Sequence, residues 1–208
     1  MKSIKILGAV AFASALAFGG AASAATISGG TVIAAPTSIG EDDPTNTEIQ
    51  AFNEGVGVVL GADLAVDDGV ISGGTRVDSH MIFLNTEGGT LVADVTTYTF
   101  SEMILGVISD QDGTNLFASD TILNGGIDYT DTSGYGNNRG LEDNDRANDY
   151  YTISADMFSI TVGMRVTEPG DWMRVVTVSE VPLPAGALLL PAGLVLLGGL
   201  RRRRKAAS

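Results

Sequence analysis

Cysteine is absent from this chain of 208 residues, and histidine and tryptophan occur once each. The lack of cysteine excludes disulfides, thiol catalysis, thiolate metal ligands and thiol-attached haem. The single histidine, His80, cannot build a typical zinc site alone. If the chain is exported, a hydrophobic core must therefore hold it together without covalent cross-links.

Lysine is confined to the two ends of the chain, at Lys2, Lys5 and Lys205. Residues 25–180 contain all 25 acidic residues and five arginines, so this stretch carries a net charge of −20. Such a surface repels nucleic acid and anionic lipid unless divalent cations bridge them. The charge argues against nucleic acid as a partner, and it fits either solubility in saline surroundings or cation binding.

The first 24 residues have the organisation of a secretory signal peptide. Two lysines precede an apolar run over residues 6–18, and Ala22 and Ala24 occupy the two positions that a signal peptidase reads. We predict cleavage after Ala24. The alternative, a permanent N-terminal anchor, would need a longer apolar run. The mature domain is then predicted to span residues 25–180.

The last 28 residues contain a proline motif, an uncharged segment and a basic cluster, in that order. Twenty helical residues over 181–200 would reach about 30 Å, which is the thickness of the hydrocarbon core of a bilayer. Three prolines make this predicted transmembrane helix marginal. The basic cluster resists crossing the membrane and predicts a cytoplasmic C-terminus. The alternative is a buried core helix with a solvated basic tail. The cluster consists of Arg201, Arg202, Arg203, Arg204 and Lys205.

This tail resembles the VPLPA variant of the PEP-CTERM protein-sorting signals of Gram-negative bacteria. The resemblance rests on the order of a VPLPA motif, a Gly- and Leu-rich apolar segment and a terminal arginine cluster, and it covers about one seventh of the chain. It implies that an exosortase recognises the tail, cuts near the motif and passes the preceding domain to the cell surface or extracellular matrix. It implies no catalytic residue in this chain. By position, the motif would be Val181, Pro182, Leu183, Pro184 and Ala185.

Four further segments resemble a recurrent surface-domain type that is found with such tails and has no established biochemical function. They are AFNE at residues 51–54, VDSHMIFLN at 77–85, ILGVISD at 104–110 and RGLE at 139–142. This second resemblance implies only a fold and a location.

Hydrophobic periodicity predicts an all-β domain. Residues 159–166 alternate strictly between apolar and polar, which is the pattern of a half-buried strand. Short strands separated by turns rich in Gly, Asn and Asp predict an antiparallel β-sandwich or jelly roll. Further strands are predicted at residues 31–35, 56–60, 76–84, 91–100, 103–108, 150–153 and 172–178, and short helical pieces at 47–53 and 115–123.

The acidic segment at residues 141–151 is the candidate metal site. Calcium takes about six to eight oxygen ligands and tolerates flexible loops, so calcium is the possible cofactor. The alternative is a solvated acidic loop that Arg146 partly neutralises. The predicted ligands are Glu142, Asp143, Asp145 and Asp149.

Three other motifs favour structural explanations. Residues 110–115 lack the spacing of an EF-hand and predict a turn that caps the helix after Asn115. No Gly-x-Ser-x-Gly motif accompanies His80, which predicts a histidine hydrogen-bonded within its strand. Residues 55–61 miss the dinucleotide fingerprint and predict strand and turn, and Trp172 is predicted to lie in the core.

We therefore expect an exported, non-enzymatic surface or matrix protein with a structural or adhesive role linked to exopolysaccharide. It would be anchored in the membrane by its C-terminus and then lie at the cell surface or outside the cell. A carbohydrate-binding module is the alternative, and a secreted hydrolase comes third. Exposed aromatic side chains over a groove would favour the binding module, and two facing carboxylates in a deep cleft would favour the hydrolase.

Overall fold

The computed structural model describes residues 24–40, 43–123, 125–127, 140–141, 149–167 and 170–180, all within the unit Ala22–Val181. Ala22, the VPLPA motif, the basic cluster and the predicted ligands Glu142, Asp143 and Asp145 lie outside these residues. The elements are β1 (Ile27–Gly29), β2 (Thr31–Val32), β3 (Gln50–Val59), β4 (Leu64–Val66), β5 (Gly69–Ile71), β6 (Arg76–Leu84), β7 (Val92–Phe100), β8 (Ile104–Ile108), α1 (Thr114–Leu123), β9 (Tyr150–Ile153), β10 (Ser159–Val166) and β11 (Asp171–Val178).

The strands form a four-stranded sheet, a five-stranded sheet and a hairpin. The four-stranded sheet has the order β1-β7-β10-β9, the five-stranded sheet has the order β2-β3-β6-β11-β8, and β4 pairs with β5. The all-β prediction is confirmed. The prediction of purely antiparallel pairing is wrong at one position, because β2 lies parallel to β3. Since β2 has only two residues, this parallel pairing is confined to the edge of the sheet.

One hydrophobic core takes residues from both large sheets. The alternation predicted for residues 159–166 is confirmed in β10, which pairs with β7 over eight residues. Tyr98 on β7 also donates its hydroxyl to the backbone oxygen of Ile49 beside β3, at 2.8 Å. The buried residues of this inner core include Ile82, Leu84, Tyr98, Phe100, Ile160, Val162, Met164, Met173 and Val175.

The five-stranded sheet is buried on its other face as well. Strand β6 is buried from Val77 to Leu84, including its polar residues Asp78, Ser79 and His80. Helix α1 and the β4–β5 hairpin contribute to the second core, which lies on the outer face of the sheet. Because both faces of this strand are covered, residues 81–84 form an uninterrupted apolar run without alternation. The buried residues of this outer core include Phe52, Leu64, Ile71, Val77, Met81, Phe83, Leu116, Leu123, Trp172 and Val176.

Local sequence preference was overridden at the start of β3. Residues 47–53 were predicted to be helical, but β3 begins at Gln50 and pairs with β6 along its length. In this strand Ala51 faces the inner core and Phe52 the outer core, so pairing and burial decide its conformation. The short strands β1, β4 and β5, with three residues each, were not predicted. Three residues show too little alternation to be recognised.

Two bulges interrupt β3 beside β6. Asn53 pairs with His80 and Gly55 with Ser79, so Glu54 is an extra residue in the ladder, and a second shift follows before Val58. Gly55 is required here, since a Cβ would lie 2.3 Å from the backbone oxygen of Leu123 at the end of α1. Asn53 lies on the inner face with Ala51, and Glu54 lies on the outer face with Phe52, as strand alternation requires.

Candidate functional site

Only one of the four predicted calcium ligands lies within the described residues. Asp149 is 3% exposed, and its Oδ1 accepts a hydrogen bond from the backbone N–H of Arg165 at 2.6 Å. This contact ties the start of β9 to β10. Among the described residues, no group of three or more histidine, cysteine or acidic side chains is arranged to hold a metal ion. The calcium site remains a prediction.

His80 is a structural part of the inner face of the five-stranded sheet. Its Nδ1 lies 2.8 Å from Asn53 Oδ1, and its Nε2 lies 2.9 Å from the hydroxyl of Thr177. The ring also packs against Phe100, with the ring centroids 4.8 Å apart. Desolvation by burial lowers the pKa of His80 to about 4. The neutral imidazole then donates from Nδ1 and accepts at Nε2, so the predicted hydrogen-bonded histidine is confirmed.

A second polar network lies on the outer face of the same sheet and is centred on Arg174 of β11. The guanidinium is fully buried and binds the carboxylate of Glu54 in a bidentate manner, through Nε at 2.6 Å and Nη2 at 2.5 Å. Nη2 also donates to Asp120 Oδ1 at 2.7 Å. Nη1 donates to the backbone oxygen of Leu116 at 2.9 Å and to the hydroxyl of Ser119. All five guanidinium N–H groups therefore have acceptors.

The Arg174 network joins helix α1 to the sheet. Glu54 comes from β3 and Arg174 from β11, whereas three acceptors come from α1. Ser79 on β6 also donates to Glu54 Oε2 at 2.6 Å. Burial raises the pKa of Asp120 to about 6, although Arg174 opposes that shift. Because buried ion pairs are costly to desolvate, this network specifies where α1 sits more than it adds stability.

Helix α1 begins as the motif at residues 110–115 predicts. Asp110 accepts hydrogen bonds from the backbone N–H groups of Asn115, at 2.7 Å, and Leu116, at 3.0 Å. Gly113 completes the turn with a φ of 68°. These contacts satisfy N–H groups of the first helical turn that have no partner within the helix. The prediction of a capped turn is confirmed.

The remaining sequence motifs also have structural roles. The segment at residues 55–61 lies largely within β3, as predicted. Trp172 is 2% exposed and stacks on Phe83 with the ring centroids 4.4 Å apart, which confirms its place in the core. The described aromatic side chains of the two cores are therefore not available to stack on a sugar.

The four-stranded sheet presents rows of hydroxyl groups on the face opposite the inner core. The hydroxyls of Thr97 and Thr161 lie 2.8 Å apart, as do those of Thr99 and Ser159. The register continues the first row to Thr152 on β9 and the second row to Ser28 on β1. Residues directly opposite each other in a sheet share a face. We call this surface the hydroxyl face; it consists of Ser28, Thr97, Thr99, Thr152, Ser159 and Thr161.

The hydroxyl face is open and regular. Ser28, Thr97, Thr99 and Thr152 are exposed, and Ser159 and Thr161 are half-buried. The two rows are two residues apart along each strand, or about 7 Å. Tyr150 lies next along the same face, packed over Gly163, whose added Cβ would lie 2.4 Å from the tyrosine ring. The six hydroxyl side chains are uncharged, and the same face continues past Tyr150 and the exposed Val95 to the exposed Arg165.

The sequence predicted that His80 is hydrogen-bonded but not its partners, and it identified neither the Arg174 network nor the hydroxyl face. The sequence does contain a sign that Arg174 is structurally important. Arg174 interrupts an otherwise apolar strand and is one of only five arginines in residues 25–180. The sequence also hints at the hydroxyl rows, because Ser or Thr alternates with apolar or aromatic residues at 97–99 and 159–161. What pattern alone could not supply was the register that places these residues opposite each other.

No protein-family model, curated protein or solved structure matches this chain. In the part of the chain that the structure describes, no helix combines the length and the apolar character needed to cross a membrane.

Proposed function

We propose that this chain is an exported protein of the cell envelope, with a β-sandwich domain that adheres to neutral polysaccharide. The predicted signal peptide and sorting tail support the export route, with signal peptidase and an exosortase-type enzyme as processing partners. The C-terminal segment would hold the chain in the membrane until sorting to the surface or matrix. The domain itself would be non-catalytic.

The hydroxyl face is the observation that carries the adhesive role. Each hydroxyl can donate one hydrogen bond and accept others, as the hydroxyls of a sugar do. The pairs Thr97–Thr161 and Thr99–Ser159 hold one another in place, so little side-chain freedom would be lost on binding. An open sheet face offers several such contacts to an extended polymer at once.

The charge of the domain selects among polymers. With a net charge of −20 over residues 25–180, the domain repels an anionic polymer at long range. A neutral polysaccharide meets no such repulsion and can reach the uncharged hydroxyl rows. Calcium, held by Glu142, Asp143, Asp145 and Asp149 as predicted, would be the route by which an anionic polymer could also bind.

A carbohydrate-binding module is the second candidate, and Tyr150 favours it. Its ring lies beside the hydroxyl rows on the same face, where it could stack on a sugar ring. A module of this kind would bind a short oligosaccharide with saturable affinity. An adhesive surface would need many contacts along a long chain and would bind fragments weakly.

The test uses full-length protein displayed by a Gram-negative host that carries an exosortase system. Cells are applied to cellulose, dextran and alginate, and retention is measured without calcium. We expect retention on at least one of the two neutral polymers and none on alginate. Replacing both Thr97 and Thr161 with valine, which keeps the shape but removes two hydroxyls, should reduce retention about tenfold.

A matched variant controls for general effects of losing a threonine hydroxyl. Thr121→Val removes an exposed hydroxyl from helix α1, which covers the other sheet. It should leave retention unchanged. Equal loss in both variants, or retention only on alginate, would contradict adhesion through the hydroxyl face. Protein found only in the cytoplasm would contradict the export proposal.

A further inference from the structure

The first residue after the predicted cleavage site is anchored in the interior. The backbone N–H of Ala25 donates a hydrogen bond to Asp78 Oδ2 at 2.7 Å. Ala25 is 2% exposed and Asp78 is fully buried. The other oxygen of Asp78 accepts from the backbone N–H of Gly57, also at 2.7 Å. The nitrogen that a signal peptidase would free thus already lies against a buried carboxylate.

The surroundings of this nitrogen are acidic. Glu102 lies near both Asp78 and Glu180, and its pKa is raised by desolvation first, then by Glu180 and then by Asp78. His80 on the same strand has a pKa of about 4 and is neutral at pH 7. Arg76, the nearby cation of β6, donates to the backbone oxygen of Gly57. An added positive charge at Ala25 would therefore contact the carboxylate of Asp78, which itself lies near Glu102.

We propose that cleavage after Ala24 turns the nitrogen of Ala25 into an α-ammonium group that forms a buried ion pair with Asp78, so that the mature N-terminus is a structural part of the domain. This inference rests on the proposed export of the chain. Hydrolysis of the 24–25 peptide bond adds one water, leaving a carboxylate on Ala24 and a protonated amine on Ala25. The single N–H donor of the amide becomes three N–H donors with a positive charge.

The ion pair would differ from the amide contact in its dependence on pH. An α-amino group ordinarily titrates near pH 7.7–8.0, and an adjacent carboxylate favours the charged form. The folded-state pKa of this amine is then raised above its unfolded value. Its contribution to stability is fully present below about pH 8 and is lost as the pH rises through the folded-state pKa. A chain that keeps residues 1–24 has no such titration, because its Ala25 nitrogen is an amide.

The sequence makes a direct test possible, since residues 25–180 contain no lysine. The exported protein is purified from the envelope, and its N-terminal residue is identified by mass spectrometry. It is then treated at pH 8 with an amine-reactive reagent, native or unfolded in urea, and peptide mapping separates Ala25 from Lys205. We expect the amine of Ala25 to react at least about fourfold more slowly in the native protein, which is the loss of free amine at pH 8 when a pKa near 7.8 rises by one unit.

Two variants show that the contact with Asp78 is responsible. One glycine inserted between Ala24 and Ala25 moves the amine by about 3.8 Å and should restore the reaction rate of unfolded protein. Asp78→Asn keeps the side-chain shape and removes the charge, and it should also accelerate the reaction. If Asp78→Asn does not fold, the glycine insertion still decides the question.

Three results would overturn the inference, and they are distinguishable. Equal reaction rates in native and unfolded protein that begins at Ala25 would contradict the ion pair while leaving export intact. Protection that persists in both variants would show burial without the contact to Asp78. Protein that retains residues 1–24 would contradict both the inference and the proposed export.

Discussion

The two faces of the five-stranded sheet bury polar groups in opposite ways. The inner face carries a neutral network, in which His80 is hydrogen-bonded to Asn53 and Thr177. The outer face carries a charged network, in which Arg174 binds Glu54 and Asp120. Both networks use strands β3, β6 and β11, and Asn53 and Glu54 are adjacent in the chain. The same three strands therefore supply a neutral hydrogen-bonded network on one face and a buried ion-pair network on the other.

The covering elements explain the difference. The inner face packs against another sheet, whose backbone groups are already paired within its own ladders. A cation there would find few additional acceptors, so burial favours neutral histidine. The buried carboxylate of Asp78 on the same face is satisfied instead by the backbone N–H groups of Ala25 and Gly57. The outer face packs beneath α1, which supplies the backbone oxygen of Leu116 and the side chains of Ser119 and Asp120. Enough acceptors are present to satisfy a guanidinium, which is the condition for burying it.

Breaking the charged network should have the largest effect on stability. Arg174→Met fills the space but leaves Glu54 buried without its partner, and we expect a loss of about 3–5 kcal/mol in the free energy of unfolding. Chemical denaturation of the purified protein measures it. Arg165→Met, an exposed position on β10, is the control and should change stability by about 0.5 kcal/mol or less. Adding Glu54→Gln to Arg174→Met should recover part of the loss, and no recovery would show that the unpaired charge is not the cause.

The neutral network should make the protein less stable in acid. His80 titrates at 6.5 in the unfolded chain and near 4 in the folded protein, so between these pH values the unfolded state binds the extra proton. Its contribution to stability is present above pH 6.5 and is lost as the pH falls through 4, by up to about 3 kcal/mol. His80→Gln removes this dependence. Unfolding curves at pH 7 and pH 4 measure the difference between the two proteins, and a difference independent of pH would contradict the assignment.

The charged network should have the opposite pH dependence through Asp120. This carboxyl titrates at 3.8 when unfolded and near 6 when folded, so the folded state binds the extra proton between these values. Its contribution is fully present below pH 3.8 and is lost as the pH rises through 6, by about 3 kcal/mol. Asp120→Asn should therefore lose the least stability near neutral pH and the most near pH 4, relative to the original protein. The same sign as in His80→Gln would refute the contrast between the two faces.

The smallest effect is expected at the start of α1, the helix that distinguishes the outer face. Asp110→Ala removes two capping hydrogen bonds and should cost about 1 kcal/mol. Asp112→Ala removes one hydrogen bond, which the N–H of Thr114 donates to the exposed carboxylate of Asp112, and should cost less. Thermal unfolding of both variants at one pH compares them. An equal loss would mean that Asp110 is not the principal cap.

Part of this architecture could be predicted from local pattern. Strand β10 was found at its full length because its residues alternate between the inner core and the hydroxyl face. The cap at Asp110 was also accessible, since the contacts span only five or six residues. The start of β3 was not, because its helix-like local sequence is overruled by pairing with β6, some thirty residues away. Sequence patterns predict local structure correctly where residues close in the chain determine the conformation.

By itself, the sequence determined the all-β class, the strand faces with clear alternation, the absence of disulfides and the acidic charge of residues 25–180. These follow from composition and from side-chain periodicity. Only the tertiary structure decided that Glu54 meets Arg174 across 120 residues, that Thr97 meets Thr161 and that Ala25 meets Asp78. Each of these contacts depends on register and on which element covers which face. Both are set by burial of the whole chain, because a strand's own residues are compatible with more than one partner.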